Sequence, residues 1–496
     1  MTVRATLLAA LLATGTALAA PTAAPAAIPA HPDQLDFPPL LYDPPRAQDH
    51  RHVLKNGVVV YVVEDHRVPL VDVDVHIRAD NKQVPPELDG LHGGAFSLMT
   101  GAGGGTHDAT WIEEETAFLG ARLDSRPDTY GGVLELQTLT KDLKQGLDMA
   151  FELLRDPRYQ EDRVQEWRDR LLSSFKRRND DAEDIERAEW KRLIYDKDNF
   201  RPGTRASVEA LNPKLLRDWH DRWVLPENLL ISVSGDVTAK EILPLLEKRM
   251  QGWKGQPRRL GDPEPGYADV APGVYLINKP INQTRVRCFL PGLDRDDPRW
   301  PAAWLMNEIL GGSGMSSQLL NRIRTEEGLA YSVGSQLEER EFGRGLFFAA
   351  LQTKVESTQY AMSLLVEEMK KMAAGAVNET ALNNAKTQLV QAFPTWFSSA
   401  GSIAGSLADE ELSGRYAADP RHFQELRDKI SAVSREQVQA VAAQLLQTDQ
   451  LIWLLVGDVA QVTQPDAAHG LSLEQFGPVT RLPLRDPLTQ EPLPLD

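Results

Sequence analysis

The chain has 496 residues, of which 42% are hydrophobic, so it is long enough for several domains with ordinary apolar cores. Aspartate and glutamate outnumber lysine and arginine by 71 to 54, and the net charge is -17. The sequence has no basic cluster with interleaved aromatic residues, which argues against nucleic acid or an anionic membrane surface as a partner. The only cysteine is Cys288, so an intrachain disulfide is excluded.

The first residues have the pattern of a cleavable secretory signal. Arg4 precedes an apolar run from Leu7 to Leu12, and small residues follow. The apolar run is too short for a membrane-spanning helix. We therefore predict a signal peptide over residues 1–20 and, over residues 21–37, an Ala/Pro-rich linker that is extended or disordered. The mature protein is expected to be exported without a membrane anchor.

Two strand patterns follow the linker. Residues 58–63 form an apolar run that is entered through the turn signal Asn56-Gly57. Residues 71–77 alternate strictly between apolar and polar side chains. This alternation places three polar side chains on one face of the strand, namely Asp72, Asp74 and His76. Two carboxylates and an imidazole could bind a metal, and a polar sheet face explains the same pattern.

Helical periodicity dominates the middle of the first half. Residues 161–195 are predicted to form the most charged helical stretch, with an apolar stripe that includes Trp167 and Phe175. A strand pattern at Leu229–Val237 follows and ends in a Gly-Asp pair. Leu451–Val459 repeats this ending in the second half of the chain. We infer an internal duplication of units of roughly 220 residues.

The alternation of strand runs and long helices predicts an α+β fold, in which mixed sheets carry helices on one face. Proline-rich residues 252–273 are predicted to join an N-terminal repeat over residues 38–251 to a C-terminal repeat over residues 274–480. Residues 481–496 are predicted to be a tail.

Residues 305–335 hold the most specific pattern of the chain. Apolar residues recur at helical spacing from Leu319 to Ile323, so Arg324 is predicted to lie near the end of a helix that Gly328 stops. A strand-like run begins at Tyr331. If the helix turns back beside the strand, the guanidinium of Arg324 and the phenol of Tyr331 lie in one pocket. The guanidinium offers several N–H donors in a fixed geometry, and the phenol hydroxyl can donate a hydrogen bond to an oxyanion. An exposed arginine beside a core tyrosine is the alternative.

This stretch resembles the second-half signature of the pitrilysin, or insulinase-like, family of zinc metallopeptidases. The signature has a GG-x-x-x-S-x-L segment, an arginine helix and the sequence G-L-A-Y. The matching positions are Gly311, Gly312, Ser316 or Ser317, Leu319, Arg324, Gly328, Leu329, Ala330 and Tyr331. The resemblance implies two homologous repeats with mixed, mostly antiparallel sheets in a clam-shell arrangement. It also implies that Arg324 and Tyr331 contact the substrate, complete the active site and stabilise the oxyanion.

The zinc motif of the family is lost in the first half. Active members carry H-x-x-E-H on a helix, where two histidines and a distal glutamate bind zinc and the glutamate of the motif is the general base. Aligned on Gly90-Leu91, the corresponding positions are occupied by Gly93, Phe96 and Ser97, and the distal glutamate is expected at Ser173 or Ser174. We therefore expect this chain to bind no zinc.

His92 cannot replace the missing ligands by spacing. It lies one residue out of register, which rotates its side chain by about 100° around a helix. None of the ten histidines begins an H-x-x-E-H motif.

Three functions remain open on these patterns. In the first, the chain is the zinc-free subunit of a peptidase in a Gram-negative periplasm, and a zinc-bearing subunit of the same family is its partner in a heterodimer or larger complex that hydrolyses peptides. In the second, it is a catalytically inactive structural or peptide-binding protein with the same fold. In the third, it is a peptidase that uses other groups, either Asp72, Asp74 and His76 as metal ligands or Ser97 near His92 as a nucleophile.

Overall fold

Two six-stranded mixed sheets carry the fold, one from each half of the sequence. The computed structural model describes residues 42–196, 200–255 and 266–495. The predicted signal peptide and Ala/Pro-rich linker lie outside the described residues, as does the centre of the linker between the halves. Below, the first half means residues 43–255 and the second half residues 266–495.

The first sheet has the order β1-β2-β6-β3-β5-β4 and the second has the order β12-β7-β11-β8-β10-β9. The strands of the first sheet are β1 (Arg51–Val53), β2 (Val59–Glu64), β3 (Leu70–Arg78), β4 (Arg122–Pro127), β5 (Gly131–Leu139) and β6 (Leu229–Gly235). Those of the second are β7 (Gly273–Asn278), β8 (Gln283–Asp294), β9 (Ala330–Leu337), β10 (Arg344–Lys354), β11 (Ile452–Gly457) and β12 (Val479–Leu482).

The helices of the first half are α1 (Ala47–His50), α2 (Leu91–Ser97), α3 (Ala109–Leu119), α4 (Leu143–Arg155), α5 (Glu161–Lys176), α6 (Ala182–Ile194), α7 (Arg205–Ala210), α8 (Pro213–Trp223) and α9 (Ala239–Met250). Those of the second half are α10 (Trp300–Asn307), α11 (Thr358–Ala373), α12 (Glu379–Ala392), α13 (Ala400–Leu412), α14 (Arg415–Ala418), α15 (His422–Ala432), α16 (Arg435–Leu445) and α17 (Val459–Val462). No helix in these described ranges is both long enough and apolar enough to cross a lipid bilayer.

Five strands of each sheet share one order and one set of directions. β2 runs parallel to β6, as β7 does to β11. The remaining neighbours among these five strands are antiparallel in each sheet, whereas the sixth strand of the second sheet, β12, is parallel to β7. The repeated Gly-Asp endings lie at the equivalent ends of β6 and β11, so the duplication inferred from them is visible in the topology. The predicted α+β fold class with mixed, mostly antiparallel sheets is confirmed.

The alternating pattern of β3 explains the position of the first core. Its apolar side chains, Val71, Val73, Val75 and Ile77, are fully buried beneath the helices of the first half.

The charged stretch 161–195 forms two helices rather than one. The side chain of Asp181 accepts a hydrogen bond from the Glu183 backbone N–H and starts α6, an N-cap that the helical periodicity alone did not separate.

The opposite face of each sheet is covered by a helix from the other half, through a small cluster of buried apolar side chains. α13 packs on β2 and β6 of the first sheet, whereas α6 packs on β8 and β11 of the second. Glu411 of α13 accepts hydrogen bonds from Arg51 at 3.0 Å and from the Tyr61 hydroxyl at 2.8 Å. Glu186 of α6 is buried and bridges two arginines of β8. Each half therefore contributes one helix that packs on the sheet of the other half, and a carboxylate of that helix binds side chains of that sheet.

Candidate functional site

The segment that carries Arg324 is a helix with widened turns. Glu308–Gly312 and Leu320–Glu326 are π-helical, a conformation that is frequent at functional sites. Leu319 and Ile323 are fully buried and hold the helix against the second half. Gly328 has a φ of 65°, and its N–H donates to the carbonyl of Arg324 at 3.1 Å, so the helix ends where the sequence predicts.

The paired glycines of the motif have a packing role. Gly311 lies against β9 so closely that a Cβ atom there would collide with the backbone N and the side chain of Ser335. Ser335 in turn donates a hydrogen bond to the Oδ1 atom of Asn307, at the end of α10, at 2.8 Å. The glycine therefore allows the turn after α10 to pack directly on β9. Sequence patterns gave Gly311 only as part of a motif, because its partner lies in a different element.

Arg324 and Tyr331 meet at the start of β9, the outermost strand of the second sheet. The guanidinium carbon of Arg324 lies 5.2 Å from the centre of the Tyr331 ring, a cation–π distance. Tyr331 is 85% exposed, so the alternative in which it is a core residue is wrong. In the described part of the chain, its hydroxyl forms no hydrogen bond. The structure therefore brings the predicted pair together and leaves the phenol accessible.

The guanidinium of Arg324 is also left without a carboxylate partner among the described residues. Its nearest polar contact is the Sδ atom of Met315, 3.9 Å from Nη1. By contrast, Arg322 two residues earlier forms ion pairs with Glu326 at 3.1 Å and Glu327 at 2.6 Å. One arginine of the helix is thus engaged by its own chain, and the other remains able to bind a carbonyl or carboxylate oxygen.

Met315 is the component of this site that sequence patterns missed. It is 69% exposed in the short turn Gly314–Ser316, beside the arginine. The sequence did contain a signal for Met315, namely a large apolar residue within a Gly/Ser-rich turn. Such a residue in an exposed turn is not explained by burial in the core. Its exposed side chain is flexible and places an apolar surface beside Arg324 and Tyr331.

Three of the residues predicted to stand at the zinc-motif positions, Gly93, Phe96 and Ser97, lie on α2. Phe96, at the position of the general base, is fully buried, and its ring occupies space that a side chain at residue 132 would need. It contacts the rings of His92 and Trp219, with centroids 5.3 and 5.5 Å apart. Gly93 offers no side chain, and Ser97 is exposed. The residue predicted to stand in place of the general base is therefore part of the hydrophobic core.

The neighbouring polar groups do not restore a zinc site. Burial lowers the pKa of His92, and its Nε2–H donates to the carbonyl of Gly131 at 2.7 Å, so that nitrogen is occupied. Ser173 is exposed on α5 and lies within 3.4 Å of an Arg177 nitrogen. Ser97 is exposed whereas His92 points to Gly131, so these two do not form a nucleophile–base pair. The side chains present do not fit the zinc site of an active family member.

The polar face of β3 is engaged in internal contacts. Asp72 accepts a hydrogen bond from Gln137 at 2.7 Å, and His76 is 3.2 Å from the hydroxyl of Ser232. Burial raises the pKa of Asp74 to about 6 and lowers that of His76 to about 4. Across residues 42–196, 200–255 and 266–495, no group of three or more His, Cys, Asp or Glu side chains is arranged to hold a metal ion.

The described residues form a duplicated α+β protein with an Arg–Tyr pair at a sheet edge and no group of side chains arranged to hold a metal ion. Comparisons with known proteins agree. Residues 210–389, which include Arg324 and Tyr331, match the family described as Peptidase M16 inactive domain. The chain is 28% identical over 322 residues to an uncharacterized zinc protease of Mycobacterium leprae, covering 62% of this chain and 69% of the relative. It is 22% identical over 409 residues to the uncharacterized zinc protease YmxG of Bacillus subtilis, covering 82% and 97%.

Solved structures show the same fold. The crystal structure of a peptidase M16 inactive domain from Pseudomonas fluorescens has a TM-score of 0.73 at 20% identity and covers 82% of this chain and 97% of its own. The periplasmic protease PqqL from Escherichia coli has a TM-score of 0.67 at 15% identity and covers 82% of this chain and 45% of its own. Residues 210–389 thus match the M16, or pitrilysin-like, peptidase family in the domain described as inactive, and the described residues have the fold of solved M16 structures.

Proposed function

We propose that the chain is the zinc-free subunit of a periplasmic peptidase and works with a zinc-bearing subunit of the same family. The observation that carries this proposal is the Arg324–Tyr331 pair at the start of β9, in which Tyr331 is exposed and Arg324 has no carboxylate partner among the described residues. At the same time, α2 carries no zinc ligand at the motif positions. A pure scaffold has no need for an accessible phenol stacked with an unpaired guanidinium. Both groups suit a surface that a substrate and a second chain would cover.

In this proposal, Arg324 and Tyr331 bind and polarise the substrate. The guanidinium orients the backbone of an extended peptide through two parallel donors. The Tyr331 hydroxyl donates a hydrogen bond to the oxygen that becomes negative as the scissile carbonyl is attacked. The partner subunit would supply the metal, the attacking water and the general base.

The edge position of β9 supports the binding of an extended peptide. An outermost strand has backbone groups that no neighbouring strand pairs, and peptides commonly add to such edges through main-chain hydrogen bonds. Recognition of this type depends little on side chains, so we expect loose sequence preference.

The proposed location rests on two observations. The first residues predict a cleaved signal peptide, and the fold is similar to that of a protease described as periplasmic in Escherichia coli. The partner, in a heterodimer or a larger complex, is therefore expected to be exported too.

The proposal is tested with the purified mature chain, residues 21–496. We expect a zinc content far below one ion per chain and no peptide cleavage by this chain alone. Mixed with an exported H-x-x-E-H relative from the same organism, it should raise that relative's cleavage rate in a saturable manner. Cleavage by the isolated chain, or an unchanged rate of every such relative, would contradict the proposal. In the second case, a passive structural or peptide-binding role would be favoured.

A further inference from the structure

Tyr331 lies in a β-bulge at the start of β9. Ala330 and Val333 of β9 are three positions apart, whereas their partners on β10 are only two positions apart. Tyr331 and Ser332 therefore lie opposite one residue of β10, Gln352. An extra residue of this kind bends a strand and redirects its side chains, and bulges are frequent next to active sites.

The bulge explains why the phenol is exposed. Side chains alternate between the two faces of a regular strand, so Tyr331 would share the face of Val333 and Ser335. Both of those residues are buried, whereas Tyr331 is exposed and Ala330 takes a buried position instead. The extra residue thus places the phenol outside the core, where the guanidinium of Arg324 lies over its ring.

A buried threonine holds the base of the bulge. Thr353 of β10 is 2% exposed, and its hydroxyl donates a hydrogen bond to the carbonyl of Leu329 at 2.8 Å. The N–H of Leu329 donates to the carbonyl of Ile323, in the π-helical segment of Arg324, at 3.0 Å. One backbone group of Leu329 is therefore held by the arginine helix and the other by β10.

We propose that Thr353 is a positioning residue, whose hydroxyl fixes where the phenol of Tyr331 stands relative to the guanidinium of Arg324. It acts through the backbone of Leu329, directly before β9, and needs no contact with a substrate. Without the hydroxyl, the carbonyl of Leu329 loses its donor and the bulge is free to shift. The catalytic consequence rests on the function proposed above, because a misplacement of about 1 Å can cost about 10²-fold in rate.

The ring signal of Tyr331 in nuclear magnetic resonance tests the positioning in the isolated mature chain. With isotope-labelled tyrosine, this signal is the one missing from Tyr331→Phe. Thr353→Val removes the hydroxyl and keeps the branched shape, so it should shift or broaden the signal. Thr353→Ser keeps the hydroxyl and should restore it. An unchanged signal in Thr353→Val, or the same change in Thr353→Ser, would overturn the proposal.

Thr284 provides a matched control. It lies directly opposite Thr353 on β8 and is also buried, but its hydroxyl has no hydrogen-bond partner among the described residues. Thr284→Val should therefore leave the ring signal of Tyr331 unchanged. Equal changes in Thr284→Val and Thr353→Val would indicate a general repacking of the sheet and would refute the proposal. If Thr353→Val does not fold, Thr353→Ala and Thr284→Ala are compared in the same way.

The reconstituted peptidase separates this inference from the proposed function. Thr353→Val should lower kcat by about 10–100-fold and change KM by less than about twofold. Added to Tyr331→Phe, it should lower kcat no further, because it acts through the same phenol. If Tyr331→Phe lowers kcat and Thr353→Val does not, the inference alone fails. If Tyr331→Phe leaves kcat unchanged while Thr353→Val still alters the ring signal, the proposed function fails and the positioning stands.

Discussion

At the residue scale, Phe96 gives a structural role to the helix predicted to correspond to the family's zinc helix. The position that would hold a general base is filled by a buried ring between α2, β5 and α8. At the positions aligned with the zinc motif, the sequence has Gly93, Phe96 and Ser97. It did not predict the burial of Phe96, because the space comes from Gly132 and the contact from Trp219, both distant in sequence.

The core role of Phe96 predicts a large effect of truncation. Phe96→Ala should lower the free energy of unfolding by about 3–5 kcal/mol, because it removes apolar contacts and leaves a cavity. Ser97→Ala, at the exposed neighbouring position, should change it by no more than about 0.5 kcal/mol. Urea unfolding followed by circular dichroism measures both. A cost below about 1 kcal/mol for Phe96→Ala would show that the ring is not an essential part of the core.

Asp74 predicts a specific dependence of stability on pH. Burial, reinforced by Glu135 and Asp72, raises its pKa from 3.8 to about 6. The folded state therefore holds this proton more tightly than the unfolded state does. This stabilising contribution is complete below about pH 4 and is lost as the pH rises through 6, by up to about 3 kcal/mol.

Asp74→Asn removes this titration while it preserves the shape of the side chain. The variant should be similar to the wild type near pH 4 and should gain relative stability up to pH 7. The measurement is urea unfolding of both proteins across this range. Parallel stability curves for the two proteins would show that the carboxyl has an ordinary pKa in the folded state.

At the element scale, the helices α6 and α13 bind the two halves to each other. Sequence periodicity shows that such helices have a buried face, but it cannot show which sheet covers that face. The duplication, the strand patterns and the helix end at Gly328 follow from local signals and are present in the structure. The exchange of helices, the π-helical turns and the contact of Gly311 with Ser335 depend on distant residues, and local signals did not reveal them.

The carboxylate of Glu186 should be essential to the contact of α6 with the second sheet. Its side chain is 2% exposed and contacts both Arg285 and Arg287. Glu186→Gln would leave two arginines without their shared charge and should cost about 3–5 kcal/mol of unfolding free energy.

Glu183 provides a matched control on the same helix. It also approaches Arg285, at 3.4 Å, but its side chain is 54% exposed. Glu183→Gln should therefore cost less than about 1 kcal/mol. Equal costs for the two substitutions would refute the view that the buried bridge, rather than the general charge of α6, holds this contact.

At the scale of the whole molecule, the two halves have diverged in different directions. In the first half, α2 contributes the buried ring of Phe96 to the core. In the second half, an exposed tyrosine and methionine flank the half-buried Arg324 at the edge of the sheet. The described residues of α2 include no zinc ligand at the motif positions, and we propose that this chain therefore does not hydrolyse peptides alone. It is suited to complete the site of another subunit, and that division of labour is our central claim.

The most direct test is the kcat of the reconstituted peptidase with Tyr331→Phe in place of the wild-type chain. Loss of a single oxyanion donor lowers kcat by about 10²–10³-fold in other enzymes, and we expect a decrease in that range with unchanged subunit assembly. Tyr275→Phe, in the interior strand β7 of the same sheet, should retain full activity. An unchanged kcat for Tyr331→Phe, with assembly intact, would contradict the claim that this chain contributes its phenol to the active site.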